Sequence, residues 1–234
     1  SFFVIGSIQL LNLQKKKLKY QIKIKKINNF INLKKINKNE LSVYDVKYKQ
    51  KKPFEKLTSK SNNYIFKCFD IAADLIKKKK IIGFINCPVA KETLFKNKDL
   101  GITEYLSRKS DMTGKEVMLI YNKKLSVSPL TTHIPLKKVS HKITKLKIIK
   151  NIKTINSFYK KTLKRSPKFA ILGLNPHAFS PEKKSEEKKI ILPAVNYMKK
   201  RGIKVKGPIS PDTSFMFLKE NKFDVIIGMY HDQV

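Results

Sequence analysis

Phe169-Ala170-Ile171-Leu172-Gly173-Leu174-Asn175-Pro176-His177 is a four-residue apolar run that ends on a glycine and releases a Leu-Asn-Pro-His segment. A run this short, bounded by turn residues, reads as a buried strand. Downstream, Ser180-Pro181-Glu182 reads as a helix start, with Ser as cap and Pro in the first turn. Ile191, Val195 and Met198 share one helix face, and Lys199-Lys200-Arg201-Gly202 is a basic last turn followed by a terminating glycine. Pro193 inside that pattern kinks the helix or marks where its regular part begins. Ile203–Val205 then leads to Gly207-Pro208, Asp212-Thr213 opens a short helix through Phe217, and Asp224–Gly228 is a last strand running into Tyr230-His231-Asp232-Gln233. Strands alternating with helices predict an α/β fold with a mostly parallel sheet flanked by helices. Ligands in such folds gather at the carboxyl ends of the strands.

Toward the amino end the same alternation continues. Val117–Tyr121 and Leu125–Ser128 predict a hairpin around Asn122-Lys123-Lys124, and Pro129–Pro135 is the loop that carries His133. From Ser140 to Tyr159, apolar residues recur every three to four positions, which predicts an amphipathic helix capped by Ser140. Tyr64–Lys80 is a second such helix, its closing lysines suited to the negative end of the dipole. Ile81–Ile85 predicts a short strand broken by Asn86-Cys87-Pro88, and Phe2–Ile5 a buried one. Lys15–Lys38, with alternating Tyr20, Ile22 and Ile24, predicts a half-exposed strand and then a loop.

The 234 residues, 41% hydrophobic, suffice for one large or two modest α/β domains. No apolar run approaches the ~18 residues that span a bilayer, so no membrane partner is expected. The net charge of +35 comes from 52 basic against 17 acidic residues, yet arginine occurs only at Arg108, Arg165 and Arg201. A nucleic-acid reader favours arginine forks, and these lysines are spread along the whole chain. Biased composition therefore accounts for the charge better than specific nucleic-acid recognition, although the field attracts anionic substrates. Cys68 and Cys87 lie in no metal-like spacing, which fits a reducing, cytoplasmic setting. The chain opens on Ser1 with a strand under way and stops at Val234 directly after a motif, so it reads as a fragment.

Three of the four histidines follow strand-like runs: His133 in Thr-Thr-His, His177 in Asn-Pro-His and His231 in Tyr-His-Asp. Imidazole is the commonest transition-metal ligand, and three protein nitrogens with an open position form a catalytic arrangement. Such a metal polarises an alcohol oxygen. Asp212 and Asp232 are placed to orient ligands or move protons, and equally to cap helices or turns. Lys91, after a strand and a proline, is a candidate for a phosphate or carboxylate, in a chain with many surface lysines. A structural histidine remains the alternative at each of the three positions.

Six stretches together resemble the 4-hydroxythreonine-4-phosphate dehydrogenase family of pyridoxal phosphate biosynthesis. They are Cys87-Pro88-Val89-Ala90-Lys91, Gly101-Ile102-Thr103-Glu104, Thr131-Thr132-His133-Ile134-Pro135-Leu136, Leu174-Asn175-Pro176-His177-Ala178, Gly207-Pro208-Ile209-Ser210-Pro211-Asp212-Thr213 and Met229-Tyr230-His231-Asp232-Gln233. The resemblance implies a two-lobed isocitrate/isopropylmalate-dehydrogenase-like fold, here divided as residues 1–105 and 106–234. It implies a homodimer with a shared active site, and NAD or NADP with a divalent cation (Zn, Mg or Co) as cofactors. His133, His177 and His231 match the metal ligands, His231 entering from the other subunit and so lying apart in a single chain. Thr103 matches a substrate-binding position. The implied reaction oxidises the C3 hydroxyl of 4-phosphooxy-L-threonine, and the resulting β-keto acid loses carbon dioxide. His141 is expected to be an ordinary helix-surface residue.

The chain departs from the family at three places. Ile102 replaces a histidine, the usually glycine-rich stretch is Phe179-Ser180-Pro181-Glu182-Lys183-Lys184, and the amino-terminal Gly-Asp-Pro-Ala-Gly-type motif is absent. Ile102 keeps open a sister activity on phosphorylated threonate-type hydroxy acids. The lost glycines leave a decayed pseudoenzyme as a further reading, and the charge leaves a basic nucleic-acid-binding protein as the non-enzymatic one.

Overall fold

The computed structural model describes residues 2–28, 39–56, 58–95, 101–178, 185–216 and 223–234. The chain divides into two compact units, Ser1–Glu116 and Val117–Val234. The division falls beyond the expected 105/106. Tyr105 is buried among Phe66, Phe69 and Phe95, and the Ser107 hydroxyl donates to Glu116 at 2.9 Å, so the chain up to Glu116 stays with the first unit.

In the first unit, β1 (Val4–Gly6), α1 (Ile8–Leu18), β2 (Lys23–Ile27) and β3 (Glu40–Asp45) form a parallel sheet ordered β1-β3-β2. The helix α1 was not expected. Its start is set by Ser7, whose hydroxyl accepts from the Leu10 amide at 3.3 Å, and by Asp45, whose carboxylate accepts from the Ile8 amide at 3.0 Å. Lys15, Lys16 and Lys17 are therefore a basic last turn and not the start of a strand. The strand in this stretch is β2 alone, and the rest of the expected loop lies outside the described residues.

The expected helix is α2 (Asn62–Lys77). Its Tyr64 hydroxyl accepts from the Ser7 amide at 2.9 Å, and the ring stacks on Tyr48 with centroids 4.7 Å apart. Burial, assisted by Cys68, pushes the Tyr64 phenol up to about 12, so it stays neutral at ordinary pH. α3 (Lys91–Phe95) and α4 (Ile102–Lys109) close over α2 through Phe69, Leu94, Phe95 and Tyr105. The strand expected over Ile81–Ile85 does not form. Ile82 and Ile85 are fully exposed, and only Phe84 packs, on the aromatic cluster. A short apolar run becomes a strand only where another strand offers it hydrogen bonds.

The second unit holds β4 (Ser126–Pro129), α5 (Val139–Lys142), α6 (Lys145–Thr162), β5 (Phe169–Leu172), α7 (Leu192–Lys200), β6 (Val205–Ile209) and β7 (Val225–Gly228). Its four strands are parallel in the order β4-β7-β5-β6. The two-residue period of the strands sorts their side chains. Phe169, Ile171, Val225 and Ile227 face Ile148, Ile152, Ile155, Val195 and Met198 of the two long helices. Ala170, Leu172 and Ile226 turn to the other face, with Val127 and Ile209. Each fully buried aliphatic side chain contributes roughly 1.5–3 kcal/mol, so the helix face is the main stabilising layer.

Two local expectations are corrected here, and a third, that Pro193 marks where the regular helix begins, holds. The predicted hairpin is reduced to one antiparallel bridge, Ile120 to Val127, on the edge of β4 away from β7. The helix predicted from Ser140 is interrupted, and its long part starts at Lys145, with the Thr144 hydroxyl accepting from the Lys147 amide at 3.2 Å. Pro193 sits in the first turn of α7, directly after one π-helical turn, Glu187–Ile191. The helix start expected at Ser180, the loop at 179–184 and the end of the helix expected through Phe217 lie outside the described residues.

At the amino edge of the second sheet, Asp224 accepts from the Lys168 amide at 2.8 Å and pairs with Arg165, which lies over the Tyr159 ring. The Tyr159 hydroxyl donates to Ser126 at 2.9 Å. These contacts pin the starts of β4, β5 and β7 and leave the opposite edge for loops.

Candidate active site

The carboxyl edge of the second sheet brings the predicted residues into one row. Pro129 of β4 pairs with Gly228 of β7, Ile171 of β5 with Ile227 of β7, and Leu172 of β5 with Ile209 of β6. His133, His231, His177 and Asp212 leave these strands after three to five residues, in the spatial order of the sheet. Residues 98 positions apart, as His133 and His231 are, are thus set side by side because parallel strands end together.

The His133 and His231 rings lie 6.0 Å apart between centroids, at 31°. This corrects the expectation that His231 stands apart in a single chain, and the reason is the β4–β7 pairing. The two loops are also tied together. The Thr131 hydroxyl donates to the Met229 carbonyl at 2.7 Å, and the Leu130 and Thr131 amides donate to Gly228 and Met229. Gln233 accepts from the Met229 amide at 2.6 Å and donates to the Gly173 carbonyl at 2.7 Å, which joins the His231 loop to the end of β5.

His177 meets Asp212 rather than another imidazole, with Nδ1 3.0 Å from the carboxylate. Asp212 also accepts from the Ser210 hydroxyl and from the Thr213 amide at 2.9 Å. The Ser210 hydrogen bond first, and the His177 charge after it, hold the Asp212 carboxyl below its usual range. That favours an orienting anion over a proton donor. His231 Nδ1 lies 2.9 Å from Asp232. A carboxylate on Nδ1 fixes the tautomer and leaves Nε2 as the donor to a ligand. His133, His177 and His231 are all exposed, and so are both aspartates. Among the described residues no three metal-ligating groups converge closely enough to hold an ion. The donor chemistry nonetheless fits a divalent cation: imidazoles on one sheet edge, two with oriented rings.

His133 and His177 adopt left-handed backbone conformations, with φ of 43° and 56°, and Ala178 follows at 52°. Such conformations cost non-glycine residues of order 1–3 kcal/mol and persist where the surroundings impose them, commonly at functional sites. His141, by contrast, is exposed on the short α5, as expected of a surface residue.

In the first unit, Lys91 begins α3 and Thr103 lies in the first turn of α4, both exposed. The Lys91 ammonium is 3.9 Å from where a Cβ on Gly101 would stand, and Gly101 caps α4 without a side chain. Lys91 therefore lies beside Gly101, two residues before Thr103. Ile102 is half-buried against the aromatic cluster of that unit and offers no polar atom.

Sequence reasoning missed Glu187, whose carboxylate binds the Asn-Pro-His loop, and the bridging role of Gln233. The signal for Glu187 was an acid on the buried face of a helix, one turn before Ile191, in a chain poor in acids. Burial pushes the Glu187 carboxyl up, but hydrogen bonds from Asn175 and from the Leu174 amide outweigh it and hold it below the usual glutamate value. A depressed carboxyl contributes stability that is present above the unfolded value near 4.5 and is lost as pH falls through the lower folded value. Amide exchange at Leu174 and Asn175 is therefore expected to accelerate only below about pH 4.5 relative to the core strands. Acceleration already at pH 6 contradicts this.

Comparison with known proteins places the chain. The sequence model of the family described as pyridoxal phosphate biosynthetic protein PdxA matches residues 1–234. A 4-hydroxythreonine-4-phosphate dehydrogenase of Sulfurihydrogenibium is 36% identical over 238 residues, covering 100% of this chain and 71% of the relative. A D-threonate 4-phosphate dehydrogenase of Pectobacterium atrosepticum is 30% identical, covering 75% of this chain and 54% of the relative. The crystal structure of a 4-hydroxythreonine-4-phosphate dehydrogenase from Burkholderia phymatum superposes with a TM-score of 0.85 at 27% identity, over 99% of this chain and 71% of that one. The α/β architecture with parallel sheets flanked by helices is the one these dehydrogenases share. With the match running over its whole length, and with the His177 and His231 motifs on adjoining strand ends, this chain belongs to the PdxA family of pyridoxal phosphate biosynthesis, a family of oxidoreductases.

Proposed function

We propose that the chain carries the metal- and substrate-binding part of an NAD(P)-dependent dehydrogenase acting on 4-phosphooxy-L-threonine. The observation that supports this most is the row of His133, His231, His177 and Asp212 along one sheet edge. The C3 hydroxyl gives its proton to a base and the C3 carbon gives its hydride to the nicotinamide ring, so the alcohol becomes a ketone and NAD(P)+ is reduced. The β-keto acid then loses carbon dioxide, the C–C electron pair passing toward the new ketone, to yield 3-amino-2-oxopropyl phosphate.

His133, His177 and His231 would hold a divalent cation (Zn, Mg or Co), which when bound supplies a Lewis acid for the reacting oxygen. Asp212 and Asp232 keep His177 and His231 in the tautomer that exposes Nε2. Lys91 and Thr103 bind the substrate, the ammonium meeting its phosphate or carboxylate and the hydroxyl giving one hydrogen bond. The enzyme works as a homodimer with a shared site, and the free thiols of Cys68 and Cys87 suit a cytoplasmic setting. Among the described residues no helix is long and apolar enough to cross a membrane. Dispersed lysines and scarce arginine support no specific nucleic-acid partner.

A second reading is favoured by the Pectobacterium relative and by Ile102. It is oxidation of D-threonate 4-phosphate, which carries a hydroxyl where the threonine carries an amine. The deciding experiment measures reduced nicotinamide with both substrates, with and without added cation. The first reading expects a kcat/KM at least ~10-fold higher for the amino acid, about 1.4 kcal/mol of transition-state discrimination. A preference for the threonate selects the second reading. No turnover of either by a folded dimer carrying the cation overturns both.

A further inference from the structure

Glu187 is 3% exposed and takes no part in the chemistry above. Its Oε1 accepts from the Leu174 and Asn175 amides, each at 2.9 Å, and its two oxygens lie 3.2 and 3.1 Å from the Asn175 side-chain nitrogen. Successive backbone amides at a strand end form a concavity suited to an anion. Here the chain's own carboxylate fills it, so this strand end offers no place for a substrate phosphate. A buried carboxylate is costly unless such bonds satisfy it, and the bonds in turn fix the loop.

The loop needs fixing. His177 and Ala178 are consecutive non-glycine residues in left-handed conformations, and the Ala178 amide donates back to the Asn175 carbonyl at 3.1 Å. A Cβ on Gly173 would stand 2.6 Å from the Ala178 Cα, so the turn is folded tightly over the strand end. The Glu187 carboxylate grips the backbone of this turn at Leu174 and Asn175, two to three residues before His177. Glu186, by comparison, reaches only the Asn175 side chain, at 3.4 Å.

We infer that Glu187 is the positioning residue of the site: its carboxylate holds Leu174–Ala178 in the strained turn that sets His177 Nδ1 on Asp212. The inference rests on the proposed ligand role of His177 only for its metal readout. Glu187→Gln keeps the shape but removes the charge and sets an NH2 where Oε2 now accepts from the Asn175 side-chain nitrogen at 3.1 Å.

The test uses the full chain and cobalt(II) alone as probe, with two readouts. Calorimetry gives cobalt affinity, and imidazole nitrogen shifts report whether His177 stays the Nδ1–H tautomer bonded to Asp212. Glu187→Gln is expected to weaken cobalt binding at least ~10-fold and to release the fixed tautomer. Glu187→Asp, which retains the charge, is expected to recover part of both and keeps the question open to test if the glutamine variant does not fold. Glu186→Gln is expected to change neither. A Glu187→Gln protein with wild-type tautomer and affinity, beside a His177→Ala protein that has lost affinity, overturns the inference. If His177→Ala keeps its affinity, the metal reading fails instead, and the tautomer alone decides: unchanged in Glu187→Gln, it overturns the inference; released, it supports it.

Discussion

His231→Ala is expected to lower oxidation of the phosphorylated substrate at least ~10³-fold, whereas Thr103→Ala lowers it about three- to ten-fold. His231 stands beside His133 in the turn after β7, an inner strand of the sheet, so its loss removes a ligand from the proposed cation site. A Lewis acid acts on charge that develops during reaction and contributes several kcal/mol, and three decades of rate need about 4 kcal/mol. Thr103 is exposed in the first turn of α4 and offers one hydroxyl. One such hydrogen bond is worth about 0.5–1.5 kcal/mol. The variants should therefore differ in cation content as well as in rate. His231→Ala dimers that bind cation normally and turn over near the wild-type rate would refute the three-histidine site, leaving only an analogy of fold, which establishes no reaction.

Gly173→Ala is expected to cost about 10²-fold in kcat while changing no group that touches substrate. The added methyl carbon would lie 2.6 Å from the Ala178 Cα and 2.7 Å from its Cβ. Backbone stands on that side, so the turn carrying His177 must move. A displacement of the order of 1 Å is enough for a loss of this size. The check is steady-state kinetics beside a denaturation curve. Overpacking of this kind costs about 1–3 kcal/mol, which lowers the midpoint without unfolding the second unit. A Gly173→Ala enzyme with an unchanged kcat would show that the turn is not held as tightly as its contacts imply.

The proposed site also explains which carboxylates do what. Asp212 is exposed, and Ser210 and His177 depress its carboxyl. Glu187 is buried and is depressed only because the loop supplies more hydrogen bonds than burial takes away. One orients a ring from solvent, and the other shapes the backbone from within. Neither is suited by these contacts to donate a proton near neutral pH.

Much of the second unit was legible in the sequence by itself. Phe169–Leu172 and Val225–Gly228 were marked by unbroken apolar runs ending in glycine, because a strand buried on both faces leaves no polar positions. The three histidines stood out because each followed a strand-like run. Elsewhere local patterns misled. Ile81–Ile85 has a strand's composition but forms none, since strand pairing is a non-local event that composition does not encode. Ile8–Leu18 carries a local cap, Ser7, but its second anchor, Asp45, is 37 residues away from Ile8. Order along the chain also said nothing of the sheet order β4-β7-β5-β6. That order sets His133 beside His231 and His177 beside Asp212. The sequence by itself determined which residue types carry the chemistry and which motifs assign the family. Only the tertiary structure decided their pairing, because hydrogen bonding between parallel strands, not distance in sequence, fixes which loops leave the sheet together.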